Sequence, residues 1–86
     1  MSTLNGMKYL VFRHEDTITE RIFLFQAIIQ HKDFASMISK EWKAVRGGFV
    51  WIYDGVLQCY GESFSLGLQG DPVKDLRLLK RELVKD

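Results

Sequence analysis

The sequence predicts one α+β domain, ordered β-β-α-β-β-α, in which a four-stranded antiparallel sheet carries two helices packed on one face. Three observations predict it. Asp54-Gly55 stands between two runs of strand-forming residues, Phe49 to Tyr53 and Val56 to Tyr60. Asp71-Pro72 opens an apolar-periodic stretch that reads as a helix. The length of 86 residues suits one domain and not two. With 47% hydrophobic residues, the chain also has enough apolar material for a core, which argues against disorder.

Residues 1–6 read as a loose lead-in and 7–86 as the domain. Lys8 to Arg13 is the first strand, rich in aromatic and β-branched residues through Tyr9, Val11 and Phe12. His14 to Thr17 is a polar break. Thr19 to Phe25 is apolar and admits two readings. One is a second strand that closes a hairpin. The other is a single helix from Ile18 to Trp42, about 37 Å long at 1.5 Å per residue. Such a rod would overhang a domain whose radius of gyration should be about 12 Å. We favour the hairpin, followed by a helix over about Lys32 to Trp42. Phe34, Met37, Ile38 and Trp42 supply its apolar stripe, with Val45 a further candidate.

Gly47-Gly48 reads as the break after that helix. Asp54-Gly55 then supplies the positive φ angles of a two-residue type I′ turn. That turn pairs Tyr53 with Val56, Trp51 with Gln58 and Phe49 with Tyr60. The strand direction is expected to resume over Ser63 to Leu68 after a kink at Gly61. The closing helix runs from Pro72 to Val84. Asp71 is its N-cap, and Pro72 sits where a missing N–H costs nothing. Val73, Leu76, Leu79, Leu83 and Val84 form its expected buried face, and Lys80, Arg81 and Lys85 suit its negative pole.

Alternation along strands separates two faces of the second hairpin. Val50, Ile52, Leu57 and Cys59 are the aliphatic set, expected to meet the helices. Phe49, Trp51, Tyr53 and Tyr60 are the aromatic set on the other side. If nothing covers them they form an apolar patch of a kind monomers rarely expose. Four explanations are open. The patch is a homodimer interface. It is a platform for a small aromatic or cationic ligand, with Trp51, Tyr53 and Tyr60 lining a pocket and Glu62 as its charged group. It stacks bases. Or the faces are reversed and the aromatics are core. Nucleic acid is not expected. The nearby cations Lys40, Lys43 and Arg46 are few, Glu41 and Asp54 sit among them, and the net charge is only +1.

No other constellation points to chemistry. His14, Glu15 and Asp16 are adjacent, so they diverge on a strand and suit a solvated turn. His31 and Asp33 suit a helix start. Cys59 is the only cysteine, which excludes an internal disulfide, and its mid-strand aliphatic position suits a buried thiol. Gly61-Glu62-Ser63 and Gly67 to Gly70 lack the phosphate-loop pattern, and Ser63 lacks the glycines of a nucleophile elbow. Asp71 occupies the helix start that an anion would need. No metal or cofactor is expected. The N-terminus lacks an apolar signal region, and the longest apolar run, Phe49 to Tyr53, is too short to span a bilayer. The expected setting is cytoplasmic, with no membrane partner.

The stretch Cys59-Tyr60-Gly61-Glu62-Ser63-Phe64-Ser65-Leu66-Gly67-Leu68, followed by Pro72, Asp75 and Leu79, joins the opening Lys8-Tyr9-Leu10-Val11-Phe12-Arg13-His14 in a further pattern. Together they make the chain similar to a group of small bacterial proteins carried on mobile elements, including integron gene cassettes. In that pattern an arginine precedes the proline and the aspartate lies closer to it. Here Asp71 precedes Pro72, and Val73-Lys74 separate Pro72 from Asp75. The resemblance implies a bacterial cytoplasmic protein of accessory, adaptive role and assigns no catalytic residue. The reading is an interaction module, homodimeric through the aromatic face. A small-molecule binder or minor enzyme at the same face is the alternative.

Overall fold

The computed structural model describes residues 4–63 and 65–83. The chain runs β1 (Leu4–His14), β2 (Glu20–Phe25), α1 (His31–Ala35), β3 (Trp42–Tyr53), β4 (Val56–Tyr60), β5 (Glu62–Ser63), β6 (Leu68–Gln69) and α2 (Pro72–Leu83). β1 to β4 form one antiparallel sheet in the order β2-β1-β3-β4, and β5 with β6 make a separate small hairpin. The α+β class and the four-stranded sheet are as expected.

β1 is the spine. It pairs with β2 on one side and β3 on the other. Tyr9, Leu10, Val11 and Phe12 are all buried, so consecutive side chains bury on opposite faces. An uninterrupted apolar run is what a strand covered on both faces should look like. Tyr9 and Val11 join Ile22, Val50 and Cys59 beneath Leu78 and Leu79 of α2. Leu10 and Phe12 join Phe25 on the other face, with Phe34 and Ala35 of α1 and Leu66 and Leu68 of the β5–β6 region packed on them. The helices therefore lie on opposite faces. This corrects the expectation of both on one face, because β1 needs apolar cover on each side.

Further expectations change. β1 already begins at Leu4, inside the stretch read as lead-in; residues 1–3 lie outside the described residues. The helix expected over Lys32 to Trp42 stops at Ala35, and Trp42 opens β3. Short i→i−3 turns follow, with Met37 N–H bonded to Phe34 O and Ile38 N–H to Ala35 O. Pairing along the whole of β1 outweighs helical spacing here, since Lys43, Ala44 and Arg46 face Arg13, Phe12 and Val11. The register shift between Val11 and Phe12 leaves Val45 as the extra residue of a bulge. Val45 thereby packs on the α2 side of the sheet.

Gly47-Gly48 does not break the chain but lies within β3. A Cβ on Gly48 would stand 2.5 Å from Tyr60 O, and one on Gly47 2.9 Å from Leu10 Cδ2. The pair is glycine because the end of β4 at Tyr60 and the Leu10 side chain of β1 cross closely there. The turn after β3 has Asp54 at φ 54° and Gly55 at φ 79°, as a type I′ turn requires. The pairings Tyr53–Val56, Trp51–Gln58 and Phe49–Tyr60 follow as expected. Gly61, at φ 85°, turns the chain into β5.

α2 is rotated from the face read in the sequence. Asp75, Leu78 and Leu79 are buried, whereas Val73 is 69% exposed. Leu76 packs at the margin. The Leu83 side chain, Val84 and Lys85 lie outside the described residues. The rotation follows from Asp75, which takes the central inward position that an apolar reading gives to a leucine.

Gly48→Ala is expected to cost about 1–3 kcal/mol through overpacking against backbone. Thermal unfolding checks this, and an unchanged midpoint would contradict the close crossing.

Candidate functional site

The densest polar cluster lies between α2 and the sheet. Asp71 and Asp75 cap the helix reciprocally: Lys74 N–H donates to Asp71 Oδ1 at 3.1 Å, and Asp71 N–H donates to Asp75 Oδ2 at 2.9 Å. The same Asp75 Oδ2 accepts from Tyr9 OH at 2.5 Å, and Oδ1 accepts from Arg46 Nε at 2.6 Å. Arg46 then forks onto Glu20, with Nη2 to Oε1 at 2.6 Å and Nη1 to Oε2 at 3.2 Å. Arg13 closes the outer end on Glu20 Oε2 at 2.8 Å.

A tyrosine on a carboxylate beside an arginine could serve acid–base chemistry, but here access is missing. Tyr9 and Asp75 have no exposed surface. Burial and the Asp75 carboxylate push the Tyr9 phenol well above its ordinary value, so it remains a donor. The Glu20 carboxylate, fixed chiefly by its hydrogen bonds to Arg46, is held down to about 2. Arg46 is raised in turn, mainly by the Glu20 bond. These groups stabilise one another and fasten the helix. Sequence reasoning missed them. The available signals were a tyrosine in a fully buried strand, which needs a partner for its hydroxyl, and an aspartate four residues after an N-cap.

The expected aromatic site assembles in part. Phe49 and Tyr60 stack at 5.8 Å, and Trp51 and Tyr60 at 6.2 Å. Trp51 is half-buried, with its ring over Gly6. The Tyr53 side chain lies outside the described residues, although its backbone pairs with Val56. Phe49 continues inward to His31 at 5.8 Å and His31 to Phe25 at 5.4 Å. Part of the set is therefore core, and part is surface, where Tyr60 is 42% and Val56 55% exposed. Glu62 sits beside Phe49 in a recess of about 180 Å³ shared with Lys8, Gln30, His31 and Ser65. That volume is below the roughly 300 Å³ at which ligand pockets begin.

The remaining candidates are structural. His31 Nε2 lies 3.0 Å from Gly48 O, and a carbonyl can only accept, so Nε2 carries the proton. Burial pushes this imidazole below its ordinary value. Asp33 is exposed in the first turn of α1, whose Lys32 N–H is capped by Ser65 Oγ at 3.1 Å. His14 Nδ1 accepts from Asp16 N–H at 3.2 Å within the β1–β2 turn, while Glu15 and Asp16 are exposed. Cys59 is buried and its thiol pushed up to about 11, mainly by desolvation. Lys40 and Lys43 are exposed, while Arg46 is engaged in the buried network. Among the described residues no three His, Cys, Asp or Glu side chains converge as metal ligands would, and no helix is long and apolar enough to cross a membrane.

Glu20 ties stability to pH. Folding lowers its pKa from 4.5 to about 2, so the unfolded chain binds more protons between those values. The contribution is complete above about 4.5 and is lost as the pH falls towards 2. Urea unfolding from neutral pH downward should show a steeper acid loss in the wild type than in Glu20→Gln. Equal slopes would contradict this assignment.

Compared with protein-family models, with curated proteins and with solved structures, the chain matches none, so the functional reading rests on its own surfaces.

Proposed function

We propose that the chain is a non-enzymatic interaction module that pairs with a second copy of itself across the outer part of the aromatic sheet face. The observation that carries this is the exposure of Tyr60 and Val56 on that face, beside half-buried Trp51 and Phe49. The cover from α1 and the β5–β6 region is centred on Leu10 and Phe12. An uncharged aromatic patch is complementary to itself under a two-fold axis, and aromatic residues are enriched at such interfaces. The net charge of +1 offers little repulsion between copies.

The converging charges favour this reading over an enzyme. Asp75, Arg46 and Glu20 are mutually satisfied beneath α2, and Asp75 has no exposed surface. A small-molecule site around Phe49 and Glu62 is the second reading. Lys8 and His31 favour it as neighbouring polar groups, although Lys8 Nζ already donates to Ile29 O at 2.9 Å. The bacterial, cytoplasmic and mobile-element setting belongs to the same proposal and is supported by the sequence resemblance alone.

Sedimentation of the wild type and of a Val56→Lys/Tyr60→Lys variant over a dilution series tests the proposal. A dimeric wild type and a monomeric variant of unchanged thermal stability are expected. A monomeric wild type, or a variant that still dimerises, would end it.

A further inference from the structure

β4 is the last strand in the order β2-β1-β3-β4. In a type I′ hairpin the residues flanking the turn, Tyr53 and Val56, form a hydrogen-bonded pair. Antiparallel pairs alternate, so Ile52–Leu57 and Val50–Cys59 are non-hydrogen-bonded pairs. The N–H and C=O groups of Leu57 and Cys59 therefore point away from β3 towards the open edge.

Such edges are commonly blunted by charge, proline or cover. The far edge, β2, starts Glu20-Arg21, and Arg21 is bridged to Glu82 of α2 at 3.1 Å. β4 reads Val-Leu-Gln-Cys-Tyr, with no charge and no proline. Beside it a groove of about 500 Å³ runs between Gln58 and Cys59 on the strand and Val73, Leu76, Arg77 and Lys80 on α2. Its floor is apolar. Its rim is cationic, and neither Arg77 nor Lys80 forms an ion pair among the described residues. The neighbouring acids are engaged elsewhere: Asp75 holds Tyr9 and Arg46, Glu82 holds Arg21, and Asp71 caps the helix.

We propose that this groove accepts an extended segment of another protein as a fifth strand on β4. The segment presents apolar side chains to Val73 and Leu76 and carboxylates to Arg77 and Lys80. Its backbone bonds to Leu57 and Cys59, and the groove reads its side chains, the division of labour of strand addition. Charge selects a separate acidic partner over a second copy. Two-fold pairing of β4 edges would bring α2 towards α2 and set Arg77 and Lys80 near the same cations of the other copy. The groove is at the sheet edge and does not depend on self-pairing through Tyr60.

The test uses a fluorescent peptide, Thr-Val-Thr-Glu-Thr-Val-Thr-Glu-Thr-Val, and its counterpart with lysine for glutamate. Anisotropy titration should show the acidic peptide binding about tenfold or more tightly, with the order reversed in Arg77→Glu/Lys80→Glu. Both positions are exposed, so the variant should keep the wild-type unfolding midpoint. Amide exchange at Leu57 and Cys59 should slow when the acidic peptide binds. Equal binding of the two peptides, or none, would overturn the proposal. So would protection confined to Trp51 and Tyr60, or displacement of the acidic peptide by single-stranded RNA. Leu57 and Cys59 amides already protected in the free protein by self-association would assign the edge to a second copy and overturn it as well.

Discussion

The Asp75 carboxylate ties α2 to both β1 and β3 through its hydrogen-bond partners Tyr9, Arg46 and the Asp71 backbone. One oxygen accepts from Tyr9 in the central strand and from the backbone of Asp71 at the helix cap, and the other accepts from Arg46 in β3. A single fully buried group thus sets where α2 starts, how it is rotated and which strands it bridges. A buried carboxylate is tolerable because each neighbour is a donor and Arg46 carries the compensating charge. Glu20 then holds the far side of Arg46, so the charge pairs extend from the core to solvent at Arg13. The inward rotation of Asp75 also turns Val73 and Leu76 towards the β4 edge. One interior bond therefore helps shape the surface proposed to bind a partner.

Local chemistry was legible in the sequence where one or two residues decide it. Asp54-Gly55 specified the turn and with it the register of β3 and β4. Asp71-Pro72 specified the start of α2. What the sequence hid was set by distant contacts. The spacing of Phe34, Ile38 and Trp42 fits a helix, yet Trp42 belongs to a strand because β1 needs a partner along its length. Gly47-Gly48 looks like punctuation, but the reason for glycine is the carbonyl of Tyr60 and the side chain of Leu10, which no local rule anticipates. The run Tyr9 to Phe12 did carry a usable signal. Four consecutive buried residues require cover on both faces, which two helices on one side would not supply by themselves.

The candidate site was legible in the same uneven way. Alternation correctly placed Phe49, Trp51 and Tyr60 together, because the turn fixed the register. It did not show that Phe49 continues through His31 to Phe25 into the core, since α1 is brought there by tertiary packing. The polar network escaped because attention to apolar periodicity assigns Asp75 to solvent. An edge groove beside α2 could not be read either, as it requires the strand order and the helix rotation together. The molecule thus separates its roles. The charge network centred on Asp75 is structural, and the groove beside β4 is apolar with a cationic rim.

Equilibrium unfolding of Asp75→Ala measures how much of the fold rests on this carboxylate. Removing the carboxylate leaves Arg46 and the Tyr9 hydroxyl without their buried partner, and a loss of about 3–5 kcal/mol is expected. That approaches the whole stability of a domain this size, which is on the order of 5 kcal/mol. A change within about 0.5 kcal/mol, the range of an ordinary surface substitution, would contradict the account.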